Sequence, residues 1–74
     1  MYNESGDNMY QKLQKVRKEN NLSIYDMADK LNISAVQYYY IENQKRILFY
    51  DMAIKISHIF NMKPDDLFYT KKSN

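Results

Sequence analysis

The chain has 74 residues, a formal net charge of +2 and no cysteine. This length allows one domain with a thin core, because so short a chain buries only about 60% of the surface that its unfolded form exposes. The lack of cysteine excludes a disulfide framework and thiolate chemistry, and the single histidine, His58, does not suffice for a structural zinc site. We therefore expect no cofactor.

The N-terminal sequence MYNESGDN is polar and carries two acidic residues, Glu4 and Asp7. It lacks the basic start and the apolar stretch of a secretory signal. No apolar run approaches the about 20 residues that a membrane span needs. These features predict a cytoplasmic protein with no membrane partner.

Eight of the eleven basic residues fall into three clusters along the chain. The clusters are Lys12, Lys15, Arg17 and Lys18, then Lys45 and Arg46, and finally Lys71 and Lys72. Each cluster taken alone has an ordinary interpretation as a solvated helix face or loop. The charge distribution therefore permits a nucleic-acid partner without requiring one.

The first helix is predicted to follow a flexible arm at residues 1–7. Asn8 is suited to cap it, with Gln11 at the capping-box position three residues later. Asn20-Asn21 ends it, since asparagine tolerates the left-handed conformation of a helix stop. The apolar residues at helical spacing, which predict its buried face, are Met9, Leu13 and Val16.

Two further helices are predicted from the same signals. Ser23 caps the second, with Asp26 three residues on, and Asn32 ends it. Ser34 caps the third, with Gln37 three residues on. The predicted inward residues are Met27, Ala28 and Leu31 on the second helix and Tyr38 and Ile41 on the third, which leaves Ala35, Val36, Tyr39 and Tyr40 pointing elsewhere.

An apolar connection at residues 47–50 follows the polar break at residues 43–46, and it fills the core or forms a dimer seam. A fourth helix then runs to about Phe60, and Asn61 ends it. Its predicted inward face is Tyr50, Ala53, Ile56, Ser57 and Phe60. Pro64 starts a short fifth helix whose Leu67 and Phe68 fold back on the core. The sequence thus predicts an all-α, five-helix domain over residues 8–69 and a flexible tail at 70–74.

Four segments in order carry a family resemblance: LQKVRKENNLS, MADKLNIS, YIENQKR and MKPDDLF. Two capped helices joined by a short turn describe a helix-turn-helix. The stretch from Leu13 to Phe68 resembles the phage-repressor type, the Xre or lambda-repressor-like family of compact five-helix DNA-binding domains. This resemblance covers about three quarters of the chain.

The resemblance implies roles for individual residues. Arg17 and Glu42 match a buried salt bridge that ties the first helix to the third. The recognition helix begins at Ala35, and its base-facing residues are Ala35, Val36, Tyr39 and Tyr40, with Tyr39 toward the sugar-phosphate rim. The implied phosphate contacts are Gln37, Asn43, Lys45, Arg46 and the backbone N–H of Ile24. From the residues alone, Lys45 and Arg46 also fit ordinary loop charges.

Four positions depart from the family pattern. Ile24 stands where a glutamine usually holds a phosphate, so only its backbone N–H is available there. Ala35 and Val36 cannot make bidentate base contacts, although they could meet thymine methyl groups. Gln44 stands where the family often has a glycine with positive φ, a conformation that is costly for most side chains.

The expected function is that of a sequence-specific regulator of transcription that binds double-stranded DNA. It would be a small homodimeric repressor in a bacterial or phage-infected cell, nucleoid-associated and without catalysis or a small-molecule ligand. The candidate dimer seam comprises Ile47, Leu48, Phe49, Leu67, Phe68 and Tyr69. The alternative is a helix-turn-helix-derived module for protein–protein interaction, such as an antirepressor, an antitoxin or a phage-encoded inhibitor.

Overall fold

The computed structural model describes residues 10–68. Its helices are α1 (Gln11–Glu19), α2 (Ile24–Leu31), α3 (Ala35–Glu42), α4 (Tyr50–Ile59) and α5 (Pro64–Phe68). The predicted all-α, five-helix architecture is confirmed, and residues 10–68 contain no strand. None of the helices in this range is long and apolar enough to cross a membrane. The predicted arm and tail, together with Asn8, Met9 and Tyr69, lie outside the described residues.

The start of α1 differs from the prediction. Tyr10 has extended backbone angles and is the N-cap, so the helix begins at Gln11, later than a cap at Asn8 requires. Two long-range contacts hold Tyr10 in place. Its N–H donates to the Glu42 carbonyl at 2.9 Å, and its ring meets that of Phe68 edge-on with centroids 5.0 Å apart. Tertiary contacts therefore decide where α1 begins.

Two capping boxes start α2 and α3 as predicted. At α2, the Ser23 hydroxyl accepts from the Asp26 N–H at 3.0 Å and the Asp26 carboxylate accepts from the Ser23 N–H at 2.8 Å. At α3, Ser34 and Gln37 make the same pair of bonds at 3.1 and 3.0 Å. Each box satisfies N–H groups that a helix start leaves without an intrahelical partner.

Four helices end in the same way. The left-handed residues are Asn21, Asn32, Gln44 and Asn61, with φ of 58°, 60°, 55° and 56°. After each of them, the next N–H donates to a carbonyl five residues back, as from Leu22 to Arg17 and from Lys45 to Tyr40. This is the Schellman arrangement, in which a left-handed residue turns the chain out of the helix. The three predicted asparagine stops are confirmed.

Each helix contributes a side chain to the core. The most deeply buried apolar residues of α1 to α5 are, in order, Leu13, Met27, Tyr38, Ile56 and Leu67, none of them more than 1% exposed. The inward positions predicted for α2 and α3 are confirmed, and on α4 so are Ala53, Ile56 and Ser57. Val16 is half-buried against this core. Since five short helices share one cluster, their relative positions depend on its packing.

The apolar connection after α3 lies mostly at the surface. Ile47, Phe49 and Tyr50 are 74%, 67% and 73% exposed, and only Leu48 packs against the core. The interpretation of this segment as core filler is therefore wrong except at Leu48. The prediction that Tyr50 lies on the inward face of α4 is also wrong, because this first residue of the helix lies outside the core cluster.

One proposed seam residue is not at the surface. Leu67 is 1% exposed within a single copy of the chain, because the short α5 turns it into the core. It is therefore unavailable to a second copy. Phe68 is half-buried and packs against Tyr10.

Candidate nucleic-acid interface

A buried network of polar side chains sets the position of α3 against α1. Arg17 forms two hydrogen bonds with the carboxylate of Glu42, from Nε at 2.8 Å and from Nη2 at 3.0 Å. Its Nη1 donates to the carbonyl of Leu22 at 2.9 Å. The Tyr38 hydroxyl donates to the same carboxylate at 2.8 Å. The ion pair implied by the family resemblance is thus present, and Tyr38 adds a contact that the sequence did not indicate.

The network also shifts the pKa of two of its members, Arg17 and Tyr38. The hydrogen bond to Glu42 raises the pKa of Arg17, so the guanidinium stays charged although its side chain is buried. Burial, together with the neighbouring Glu42 carboxylate, raises the pKa of Tyr38 well above its usual range. Tyr38 therefore remains a neutral donor to a charged acceptor, which is the stronger class of hydrogen bond.

The side of α3 opposite the core is apolar and faces the start of α2. Val36 is 60% exposed, and the rings of Tyr39 and Tyr40 lie 6.1 Å apart at a tilt of 53°. An open groove of ≈ 430 Å³ runs between the two helices. Its lining residues are Ile24, Tyr25, Ala35, Val36, Tyr39 and Tyr40.

The four residues predicted to face bases therefore line one groove, although Ala35, which was predicted to point away from the core, is half-buried and packs against it. Tyr25, which is 75% exposed, belongs to this surface and was missed by sequence analysis. Its position one residue after Ile24 on a capped helix is a weak signal, because an isolated exposed tyrosine is common.

The basic loop follows directly from the end of α3. The left-handed Gln44 turns the chain, and the Lys45 N–H closes the helix end on the Tyr40 carbonyl at 2.7 Å. The side-chain amide of Asn43 donates to the Tyr39 carbonyl at 2.9 Å, which engages one of its two N–H groups. Lys45 and Arg46 are exposed and extend from this turn.

The start of α2 presents a mixed electrostatic environment. The backbone N–H groups of Ile24 and Tyr25 precede the first backbone hydrogen bond of the helix, which Met27 donates to Ser23. Such N–H groups attract anions. The hydrogen bond from the Ser23 N–H lowers the pKa of Asp26, so its carboxylate is charged at the same helix end. A phosphate at Ile24 would meet this negative charge.

Gln37 lies on a different flank of α3 from the groove. Its side-chain oxygen accepts from the Ser34 N–H in the capping box. It also lines a smaller hollow of ≈ 110 Å³ that includes Arg46 and Phe49. Gln37 is therefore next to the basic loop and apart from the four α3 residues that line the groove.

Comparison with known proteins supports this interpretation of α2 and α3. A family model described as a helix-turn-helix domain matches residues 10–73. The chain belongs to the helix-turn-helix domain family. In this helix-turn-helix domain, α2 and α3 are the two helices joined by the turn at Asn32.

A solved structure shows the same fold. A transcriptional regulator from Listeria innocua superposes on this helix-turn-helix domain with a TM-score of 0.74 at 18% sequence identity, over 88% of this chain and 61% of that chain. An identity this low shows the fold alone, and the domain spans less than two thirds of the length of that regulator. None of the curated proteins matches the sequence significantly.

Proposed function

We propose that this domain binds double-stranded DNA and regulates transcription, with α3 in the major groove. In helix-turn-helix proteins the second helix lies in the major groove with its N-terminal residues at base edges, while the first helix crosses the backbone. The observation that carries the proposal is the position of α3. The Arg17–Glu42 pair anchors its inner side, Val36 and the two tyrosines are exposed on its outer side, and Ala35 lies at the edge between the two sides. The match to the helix-turn-helix domain family supports this proposal, and the phage-repressor resemblance implies the same function.

We assign the main phosphate contacts to the basic loop. Lys45 and Arg46 are exposed directly after α3, where a helix in the major groove would bring them close to a DNA backbone. Asn43 retains one amide N–H, and Gln37 lines the same hollow as Arg46. The Ile24 N–H is a weaker contact because of the charge on Asp26.

The proposed regulator acts as a dimeric repressor. Ile47, Phe49 and Tyr50 form an exposed apolar surface beyond the basic loop, and this surface is the candidate seam for a second copy. Dimers of helix-turn-helix proteins bind two half-sites about one helical turn apart. A dimer bound at a promoter would occlude polymerase without any catalysis.

Selection from a pool of random duplexes, followed by fluorescence anisotropy at several salt concentrations, tests the proposal. We expect enrichment of one motif with two related half-sites. The double variant Lys45→Ala/Arg46→Ala should flatten the slope of log affinity against log salt by about 1.8, or about 0.9 for each phosphate that is no longer neutralised. The charge-matched control is Lys55→Ala/Lys63→Ala, which lies outside α2, α3 and the loop and should leave the slope unchanged. Failure to enrich any motif contradicts the proposal.

The apolar groove supports a second candidate function, a module for protein–protein interaction. An exposed cluster of aromatic and aliphatic side chains is typical of the centre of a protein interface. Under this hypothesis the domain captures one specific chain after nuclease treatment, and Val36→Asp abolishes the capture. Retention of motif-specific, salt-dependent DNA binding decides against it.

A further inference from the structure

The outer face of α3 lacks the side chains that usually read base pairs. Guanine is read by bidentate contacts from arginine or lysine, and adenine by bidentate contacts from asparagine or glutamine. Gln37 is the one such side chain on α3. Its side-chain oxygen accepts a hydrogen bond from the Ser34 N–H at 3.0 Å, which keeps the amide close to the first turn of α3. A bidentate contact with adenine would have to compete with this cap.

The two tyrosines do not supply the missing discrimination. A phenolic hydroxyl both donates and accepts, so it can bond to any base edge or to a phosphate. The rings of Tyr39 and Tyr40 also pack against each other, with centroids 6.1 Å apart. This contact restricts the orientations of both rings. The two tyrosines therefore contribute contact area and help to orient the domain on the DNA, and they discriminate little between bases.

Apolar contact is the remaining means of discrimination. Among the base edges in the major groove, the apolar group is the C5-methyl of thymine. Val36 presents two methyl groups at 60% exposure, with Ala35 beside it in the first turn of α3. Placed against a polar base edge, Val36 would remove that edge from water without offering it a hydrogen bond. Placed against a thymine methyl, it would bury apolar surface on both sides.

We propose that Val36 reads thymine C5-methyl groups, so that each half-site carries at least one thymine that is recognised by its methyl group alone. This inference rests on the proposed DNA binding. Burial of one methyl group against Val36 corresponds to about a fourfold gain in affinity, from about 0.8 kcal/mol per buried carbon.

Replacement of thymine by uracil in the selected duplex tests the proposal, because it deletes the methyl group and keeps every hydrogen-bonding group. Each thymine of one half-site is replaced in turn. We expect about a fourfold loss of affinity at one or two positions and none at the others.

A double-mutant cycle then assigns the effect to Val36. Val36→Ala should preserve the fold, since the side chain is exposed and alanine favours a helix, and its melting curve checks this. With this variant, the thymine and uracil duplexes should bind alike at the sensitive position. Lys45→Ala is the control, because it should weaken both duplexes equally.

The outcomes separate the two proposals. Motif-specific, salt-dependent binding with no sensitive thymine overturns methyl reading and leaves the DNA-binding proposal intact. A uracil effect that persists in Val36→Ala overturns the assignment to Val36, since it would then come from another contact, such as Ala35, or from the shape of the duplex. If no duplex motif is enriched, both proposals fail.

Discussion

Replacing Glu42 by alanine removes the acceptor of three side-chain hydrogen bonds in the core. Two of these bonds come from Arg17 and one from the Tyr38 hydroxyl, at 2.8 to 3.0 Å. Arg17 keeps its bond to the Leu22 carbonyl but loses its counter-charge. The arginine and carboxylate side chains are 8% and 1% exposed, so water cannot readily replace Glu42. The variant therefore contains a buried and unpaired guanidinium.

The expected loss is large for a domain of this size. Removing one partner of a buried ion pair typically costs about 3–5 kcal/mol. Total stability scales as about 0.05–0.15 kcal/mol per residue, or roughly 4–11 kcal/mol for a chain of this length. With about 4–8 °C of melting temperature per kcal/mol for small domains, we expect Glu42→Ala to melt at least about 12 °C below the wild type.

Thermal unfolding followed by circular dichroism measures this loss. Glu19→Ala is the control, because Glu19 forms an exposed pair with Lys15 at 4.0 Å. Such pairs contribute at most about 1 kcal/mol. The double variant Arg17→Met/Glu42→Leu removes both charges and should be less destabilised than Glu42→Ala. A Glu42→Ala melt within about 2 °C of the wild type, or a double variant less stable than the single one, would refute the reasoning.

Three further outcomes are expected from the same measurements. Gln44→Gly should stabilise the domain by about 1 kcal/mol, because glycine adopts the left-handed conformation without the strain that glutamine bears. Asn21→Gly should change the stability less, because asparagine tolerates this conformation. The raised pKa of Tyr38 contributes to the free energy of unfolding, and this contribution is complete below pH 10 and declines above it. In melts between pH 9 and 11, the wild type should therefore lose stability relative to Tyr38→Phe. Melting temperatures of the two proteins that change in parallel with pH would contradict this. The lowered pKa of Asp26 contributes to stability at neutral pH, and this contribution is lost in acid. The stability of the wild type in excess of that of Asp26→Asn should therefore shrink as the pH falls below about 4. An advantage that is constant between pH 7 and pH 3 would argue against the last assignment.

The helix boundaries set by local chemistry were predictable. The capping boxes at Ser23 and Ser34 join residues three apart, and each asparagine stop acts through bonds that span five residues or fewer. Such signals lie within a single stretch of sequence, so they can be read without knowing the fold. The start of α1 could not be read in this way, since Tyr10 is held by Glu42 and Phe68 from distant parts of the chain.

The candidate interface was predictable in part. The family resemblance indicated the Arg17–Glu42 pair and the four α3 residues that line the groove, while spacing alone left the pair ambiguous. Neither indicated that Tyr25 would join that surface. Its place depends on how α2 and α3 are oriented toward each other, which the shared core determines.

The sequence by itself determined the number of helices, the caps of α2 and α3, the three asparagine stops and the membership of most core positions, because these follow from periodicity and from bonds between near neighbours. Only the tertiary structure decided what the remaining apolar residues do. Ile47, Phe49 and Tyr50 lie at the surface, although Leu48, in the same apolar segment, packs against the core. The physical reason is that a core of five short helices has room for few large side chains, and packing geometry selects which of them enter it.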